Sequence, residues 1–310
     1  MFEKVLVPTD FSMYSHKVLE CVAAIPGLRE VVLVNAIDAG NPMNMEKKGW
    51  SYSSLIDEAQ GRLEEQADHL AHLGKQSIIV HPILKVIVEP MSGADGVNLQ
   101  RPSASPHVEM IEGGSIAEAI EKTAAEQKIS LIVMGAQGKG LVEGMLLGSV
   151  STGVLRSGLT DLMLIRHKIL EGPDAAYENF CRNMFSRVLV TTDFSDPAEE
   201  AISLAKELEG AGEIMLVHVV PKGKKIEEAA GKLNLLRETL ETPHRKVTVH
   251  VLEGHPASEI LALAKRGDAS MIIMSSLGSG WLKQIRLGST TFDVARRAEG
   301  PVMIVRPHKS

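Results

Sequence analysis

The chain carries one sequence pattern twice, and this repeat limits its possible folds more than any other feature. The segment KVLVPTDFS at Lys4–Ser12 reappears as RVLVTTDFS at Arg187–Ser195, and IVMGAQGKG at Ile132–Gly140 reappears as IIMSSLGSG at Ile272–Gly280. Such self-similarity indicates that a half-length unit was duplicated and that each copy folds as its own domain. The length of 310 residues also suits two domains.

A polar stretch at residues 167–185, which contains a glycine and a proline, separates the two copies. We therefore predict a first domain at residues 1–170 and a second domain at residues 183–310. The first copy is longer in its middle, mainly between residues 78 and 107, where the stretch PMSGADGVNLQRPSASP is rich in Gly, Pro, Ser and Asn. This composition predicts a long surface insertion, which either covers a neighbouring site or is simply tolerated.

Short β-branched runs alternate with longer amphipathic stretches in each copy. In the second copy the alternation reads as five strands and four helices, from RVLVTT through DPAEEAISLAKEL and EIMLVHVV to PVMIVRP. Strands separated by helices form parallel sheets that are covered on both faces. The sequence therefore predicts an α/β fold of two tandem doubly wound domains, each with an open five-stranded parallel sheet.

Charge and hydropathy exclude several classes of protein. The formal net charge is -6, and the densest basic patch, KGKK at Lys222–Lys225, is short. Nucleic acid is therefore not expected as a partner. The longest apolar runs are far shorter than the roughly 20 residues of a membrane span, so no membrane association is expected. The first strand begins almost at once without a signal-peptide pattern, which favours a cytoplasmic location.

Ligands of open parallel sheets bind beyond the carboxyl ends of the strands. Pro8, Thr9 and Asp10 follow the first strand, Gly135 and Gly138 follow the fourth, and Gly148, Ser149, Val150 and Ser151 begin the next helix. Glycines allow close approach of the backbone, and a helix N-terminus offers unpaired N–H groups to an anion. The alternative is that Ser149 only caps its own helix.

Two familiar nucleotide motifs are missing from the sequence. No GxxxxGK[ST] segment occurs, so the chain is not a P-loop NTPase. Gly138 and Gly140 begin a GxGxxG pattern, but Glu143 occupies its last position and the glycines follow the fourth strand. An NAD-dependent dehydrogenase is therefore disfavoured.

The spacing from Gly135 over Gly138 to Gly148-Ser149, together with VLVPTDFS near the N-terminus, resembles the ATP-binding branch of the universal stress protein family. The resemblance covers nearly all of both copies apart from the insertion. It implies the strand order 3-2-1-4-5, with an adenine nucleotide, ATP or AMP, at the switch point. It also implies pairing through the last strands, here LMLIR and VMIVR, as an intramolecular pseudo-dimer. Further homodimerisation is plausible.

The resemblance also implies the residues of the binding site in the first copy. Pro8, Asp10 and Ala36 would surround adenine and ribose, next to Thr9; Met134, Gly135 and Gly138 would line the loop; and Gly148, Ser149, Val150 and Ser151 would hold the phosphates. Asp10 could instead be a turn or N-cap residue. The corresponding second set is Thr191, Thr192, Asp193, Val219, Met274, Ser275, Gly278, Gly288, Ser289, Thr290 and Thr291.

The second copy departs from the pattern at two places. Thr191 replaces Pro8, and Ser275 replaces Gly135. If that glycine position needs a positive φ, a side chain there costs free energy and reshapes the loop. We therefore expect the second site to be the less secure of the two.

No catalytic constellation accompanies these loops. Asp10 and Asp193 could contact Mg²⁺, but Lys139, which could reach a phosphate, is matched by Ser279 in the second copy. The sequence favours an adenine-nucleotide-binding sensor or regulator without efficient turnover. Two alternatives are a nucleotide hydrolase or transferase of the related ATP-pyrophosphatase class and an interaction scaffold that binds no nucleotide.

His69 and His72 share one face of a predicted helix at a spacing that could bind metal. No acidic or cysteine partner is apparent from the sequence. A surface role without a metal is therefore expected.

Overall fold

The computed structural model describes residues 2–39, 52–73, 77–88, 107–137, 147–166, 174–223, 226–279 and 287–307 of the chain. The chain divides into two compact units, Phe2–Met134 and Gly135–Ser310. The boundary falls near the end of the strand that carries Met134, so the units do not coincide with the two sequence copies. The predicted domain bounds stay predictions.

Strands of mostly apolar residues occur in both units. They are β1 Lys4–Pro8, β2 Glu30–Asp38, β3 Ile79–Val88, β4 Val108–Glu112, β5 Leu131–Gly135, β6 Asp161–Ile165, β7 Arg187–Thr191, β8 Glu213–Val220, β9 Lys246–Glu253, β10 Met271–Ser275 and β11 Val302–Val305. The central strands are buried on both faces, as in β10, where all five residues are buried. Such two-sided burial is what near-continuous apolar runs in a parallel sheet require.

Helices connect these strands. They are α1 Met13–Ala23, α2 Tyr52–Leu73, α3 Ile116–Glu126, α4 Ser149–Ser157, α5 Asp174–Asn183, α6 Asp196–Glu207, α7 Ile226–Leu240, α8 Pro256–Arg266 and α9 Ser289–Arg297. Side chains cap the N-termini of α1 and α3. The Ser12 hydroxyl accepts from the Ser15 N–H at 3.1 Å, and Ser115 forms a capping box with Glu118. Among the helices of the described segments, none has the length and apolar character needed to span a membrane.

The unit Phe2–Met134 contains a parallel sheet in the order β4-β3-β2-β1-β5. Strand β4, which adds to the edge next to β3, was not predicted from the sequence. It reads VEMIE, an alternation of apolar and acidic residues that suits a half-exposed edge. The surface insertion predicted at residues 78–107 is wrong in its first part, because Ile79–Val88 form β3 within the sheet, and residues 89–106 lie outside the described residues. The expectation of five strands per copy is therefore too low for the first copy.

A buried lysine on β3 forms ion pairs with this added strand and with α3. Lys85, on β3, is 1% exposed, and its ammonium group donates hydrogen bonds to the carboxylates of Glu109 on β4 and Glu126 on α3. Burial of a charge is costly unless the charge is paired. The two carboxylates offset that cost and link the edge strand to a helix.

We predict that removing the charge of Lys85 lowers the free energy of unfolding less than removing the charges of its two carboxylate partners does. The double substitution Glu109→Gln/Glu126→Gln keeps acceptors for Lys85 but leaves its buried ammonium group without a counter-charge, and it should lower the free energy of unfolding by about 3 kcal/mol. Lys85→Met, which fills the same space without a charge, should cost clearly less. Urea denaturation at pH 7 measures both values. An equal or larger loss for Lys85→Met would contradict this account.

The unit Gly135–Ser310 contains strands in the order β6-β11-β10-β7-β8-β9. All neighbours pair in parallel except β6 and β11, which are antiparallel. If the strands of the second copy, β7 to β11, are numbered one to five, their order in the sheet from β9 to β11 is 3-2-1-4-5. The predicted α/β class of two tandem domains with parallel sheets is confirmed.

The antiparallel pair joins the last strand of each copy, as the resemblance implied. Met163 on β6 lies opposite Met303 on β11. Two buried arginines extend the pairing: Arg306 donates to the carbonyl oxygen of Leu155 at 2.7 Å, and Arg166 donates to that of Ala295. Burial lowers the pKa of Arg166 to about 10. Because these contacts join equivalent residues of the two copies in both directions, the pairing has the form of an isologous interface.

Candidate functional site

The residues TDFS after β7 form a tight turn that positions an aspartate. The Phe194 N–H donates to the Thr192 hydroxyl at 3.0 Å, and the Ser195 N–H donates to Asp193 Oδ1 at 3.2 Å. Phe194 has a φ of 62°, which is uncommon for a residue other than glycine. Side-chain bonds from Thr192 and Asp193 hold this left-handed conformation, a role typical of Thr and Asp in turns.

The same turn follows β1 in the unit Phe2–Met134. Phe11 has a φ of 60°, and its N–H donates to the Thr9 hydroxyl at 3.1 Å, while the Ser12 N–H donates to Asp10 Oδ1 at 3.0 Å. The amide of Asn35 donates to the Thr9 carbonyl at 2.8 Å. Thr9 is buried and bonded within the protein, so its role in this structure is to hold the turn.

The other first-copy candidates of this unit lie at or near strand ends. Pro8 ends β1 and Ala36 lies near the end of β2, both partly exposed, whereas Met134 on β5 is buried. Asp10 is partly exposed. It accepts a hydrogen bond within its turn, in keeping with the alternative that sequence analysis left open for it.

A cavity of about 930 Å³ lies within the unit Gly135–Ser310 at the carboxyl ends of β7 and β10. It is lined by every second-copy residue that the sequence singled out: Thr191, Thr192, Asp193, Val219, Met274, Ser275, Gly278, Gly288, Ser289, Thr290 and Thr291. Segments that are distant in the sequence thus converge on one site. Its volume lies within the range of small-molecule pockets.

The N-terminus of α9 forms one wall of this cavity. Its N-cap residue is Gly288, and no side chain caps the helix. The first N–H groups of α9 therefore lack the side-chain acceptor that usually satisfies such donors. An uncapped helix N-terminus lined by Ser289 and Thr290 has the donors and the partial positive charge that suit a phosphate.

The first copy has the equivalent helix start in the same unit. Gly148 is the N-cap of α4, again without a side-chain cap, and its N–H donates to the Ala136 carbonyl at 2.8 Å. Ser149 and Val150 are the first helical residues. Ser149 thus does not cap its own helix, contrary to the alternative considered from sequence. Gly138 lies outside the described residues.

Ser151 and Thr291 have a structural bond that the sequence did not indicate. The Ser151 hydroxyl donates to the Gly135 carbonyl at 2.9 Å, and the Thr291 hydroxyl donates to the Ser275 carbonyl at 2.8 Å. Both hydroxyls tie a helix to a strand end. Their protons are therefore not available to a phosphate in this conformation, and phosphate contact would fall to the backbone N–H groups.

The serine that replaces Gly135 causes no backbone strain. Neither Ser275 nor Gly135 has a positive φ, and Ser275 continues β10 in register with Val305. The condition under which we expected a weaker second site is therefore not met. The glycine pattern alone could not show this, because glycine also occupies ordinary extended positions.

Gly278 lies close to the Asp193 carboxylate. A Cβ at this position would lie 2.6 Å from Asp193 Oδ2, so a residue other than glycine would require the Asp193 side chain to shift. The same oxygen accepts a hydrogen bond from the Ser279 N–H at 2.5 Å. Burial raises the pKa of Asp193, but hydrogen bonds from Ser195 and Ser279 outweigh it, so the pKa is lowered from its ordinary value. Asp193 is accordingly a carboxylate at neutral pH.

Sequence analysis missed Arg156. This arginine belongs to α4 of the first copy, yet it lines the cavity of the second copy and packs over the Phe292 ring at 4.8 Å. Only the pairing of β6 with β11 brings α4 to this place. The predicted pairing of LMLIR with VMIVR was the available signal, but it gives no side-chain positions.

A strand-end carboxylate and an uncapped helix N-terminus thus lie around one cavity at the place where open parallel α/β sheets commonly bind ligands. The model of the Universal stress protein family matches residues 1–166 and 184–306. The chain therefore belongs to this family, in a tandem form, which confirms the resemblance. Its placement in the ATP-binding branch stays a prediction.

Relatives and solved structures agree with this assignment. A universal stress protein of Mycobacterium tuberculosis is 26% identical over 325 aligned positions, which cover 97% of this chain and 94% of the relative. One of Methanocaldococcus jannaschii is 30% identical over 159 residues, 41% of this chain and 98% of the relative. A crystal structure of a universal stress protein from Archaeoglobus fulgidus matches with a TM-score of 0.66 and 27% identity, covering 99% of this chain and 97% of that one.

We predict that the Asp193 carboxylate stabilises the second copy in a pH-dependent way. Because its pKa is lowered in the folded protein, its contribution is complete above the unfolded pKa of about 3.9 and is lost as the pH falls through the folded pKa. Asp193→Asn should cost about 1 kcal/mol at pH 7, and this difference should shrink at pH 3. Urea denaturation at both pH values tests this, with Asp196→Asn as the control for one lost charge. A difference that grows at pH 3 would contradict it.

Proposed function

We propose that this chain binds an adenine nucleotide, ATP or AMP, and acts as a sensor or regulator without efficient turnover. The observation that carries the proposal is the uncapped N-terminus of α9, which faces the same cavity as Asp193. A helix N-terminus suits phosphates, and a carboxylate can accept from a ribose hydroxyl. Membership of the Universal stress protein family supports this reading.

The chemistry of the cavity wall fits the rest of such a ligand. Val219, Ile260 and Leu277 supply apolar surface on which a base could pack. Gly278 allows the loop to approach Asp193 closely. We propose that the corresponding first-copy residues bind in the same way, and that nucleotide binding shifts the stability of the protein rather than driving a reaction. A cytoplasmic location remains our expectation.

Among the described residues of the cavity, few could act as ligands for the metal ion that a nucleotide hydrolase needs. Asp193 could contact a Mg²⁺ ion that accompanies ATP, because hard cations prefer oxygen ligands. Its two oxygens already accept hydrogen bonds from Ser195 and Ser279. We therefore assign Mg²⁺ no more than an accompanying role in binding.

Calorimetric titration of the full chain with ATP, ADP and AMP tests the proposal, with GTP as the comparison nucleotide. Gly288→Asp should abolish binding at the second copy, because an N-cap carboxylate occupies the free N–H groups and repels phosphate. The substitution should keep the fold, since Asp is a favoured N-cap residue and Gly288 has a φ of -74°. Ser115→Asp, at the N-cap of α3, is the matched control.

The expected stoichiometry is two adenine nucleotides per wild-type chain and one per Gly288→Asp chain. Absence of binding by all three nucleotides at millimolar concentration would favour the scaffold alternative. Sustained phosphate release that is lost on Asp10→Ala would favour the hydrolase alternative. Mass spectrometry of the small molecules released on denaturation of the purified protein would identify a resident nucleotide.

We further predict that Arg156 favours the ligand with more phosphates. Its guanidinium group lines the cavity that α9 enters, and a cation there attracts the triphosphate more strongly than the monophosphate. Arg156→Met should weaken ATP binding at the second copy by roughly five- to tenfold and AMP binding less. Arg297→Met is the control, because Arg297 lines a different cavity. Equal losses for ATP and AMP would argue against phosphate contact.

A further inference from the structure

Three potential metal ligands meet between two helices of the unit Phe2–Met134. His16 and Glu20 lie on α1, and His69 lies on α2. One nitrogen of each imidazole and one carboxylate oxygen all lie within 4.8 Å of one another. The two imidazole rings are stacked, with centroids 4.6 Å apart and an angle of 26° between their planes.

The packing of α1 against α2 holds these side chains together. Spacing by four residues places His16 and Glu20 on one face of α1. On α2, Arg62 and Gln66 occupy the same face as His69: Arg62 donates to the Phe11 carbonyl at 3.1 Å, and Gln66 accepts from the Thr9 hydroxyl at 2.7 Å. The His–Glu–His cluster therefore continues a row of contacts that begins at the turn after β1.

The cluster is not a requirement of the fold. The second copy, which has the same turn and the same helix after its first strand, carries Glu199 and Ser203 where the first copy carries His16 and Glu20. Within the part of the chain that the structure describes, the Glu20 carboxylate makes no hydrogen bond or ion pair. No structural partner therefore accounts for it.

We propose that His16, Glu20 and His69 bind a divalent transition-metal cation of the Zn²⁺ type. Two imidazole nitrogens and one carboxylate oxygen are a ligand set that suits Zn²⁺, with water in the fourth position, whereas Mg²⁺ and Ca²⁺ prefer oxygen ligands alone. Ligands about 2.1 Å from a tetrahedral ion lie roughly 3.4 Å apart. Small side-chain rotations, which the exposure of His69 permits, bring the three groups to that distance.

A cation at this position would join α1 to α2 directly. The same helices flank Thr9 and the turn that presents Asp10. Binding to the folded protein alone would stabilise the unit Phe2–Met134. The site does not depend on nucleotide binding, since none of its ligands belongs to the candidate nucleotide site.

Titration of the full chain with Zn²⁺, followed by calorimetry and thermal unfolding, tests the site. We expect one tight site per chain and a rise in Tm of roughly 5 °C at saturating Zn²⁺. Co²⁺ at the same site should give visible absorption bands of a four-coordinate ion. His69→Ala and Glu20→Gln should each weaken Zn²⁺ binding by more than about tenfold. Even the loss of a residue that only hydrogen-bonds to a metal ligand typically lowers metal affinity by that much.

His72→Ala is the matched control. His72 is exposed on the next turn of α2, its ring nitrogen lies 2.6 Å from the Asp68 carbonyl oxygen, and it is not part of the cluster. This variant should bind Zn²⁺ as the wild type does. Equal weakening by His72→Ala and His69→Ala, or unchanged Zn²⁺ affinity and Tm shift in His69→Ala, would overturn the proposal. Far-ultraviolet circular dichroism of each apo variant separates loss of the site from loss of the fold.

Discussion

The antiparallel pairing of β6 with β11 is the interaction on which the unit Gly135–Ser310 depends. Each strand is the last of its copy, and an unpaired last strand would expose a row of backbone N–H and C=O groups to other chains. Pairing within one chain satisfies these groups, and the reciprocal bonds of Arg166 and Arg306 to opposite helices extend it. It also brings Arg156 of the first copy to the cavity of the second.

A second constraint is the turn that follows the first strand of each copy. The sequence TDFS uses a threonine hydroxyl and an aspartate oxygen to accept the next available N–H groups, and this holds a phenylalanine at a φ near 60°. The neighbouring strand supports the turn by different residues in the two copies. Asn35 bonds the Thr9 carbonyl, and the equivalent His218 lies 2.8 Å from the Thr192 carbonyl through Nδ1. Different side chains therefore preserve one backbone geometry.

The sequence predicted the features that depend on local pattern. Alternating apolar runs predicted the α/β class, and the repeat predicted which second-copy segments would meet around one cavity, since the carboxyl ends of parallel strands lie at one edge. It could not predict β4, whose five residues are too short and too polar to separate from the insertion. Nor could it find Arg156 or the His16–Glu20–His69 cluster, because these depend on which helix packs against which.

The helices of the two copies carry different side chains, whereas the turns that follow the first strand of each copy have the same geometry. In the second copy, the Asp193 carboxylate can still accept a hydrogen bond from a ligand. Its Oδ1 bonds to Ser195 and its Oδ2 bonds to Ser279, but a carboxylate has about four acceptor positions. A ribose hydroxyl could therefore bond to Asp193 without displacing the loop. Since the hydrogen bonds from Ser195 and Ser279 outweigh burial and lower the pKa of Asp193, a ligand donor would meet an acceptor that is ionised and in place before binding.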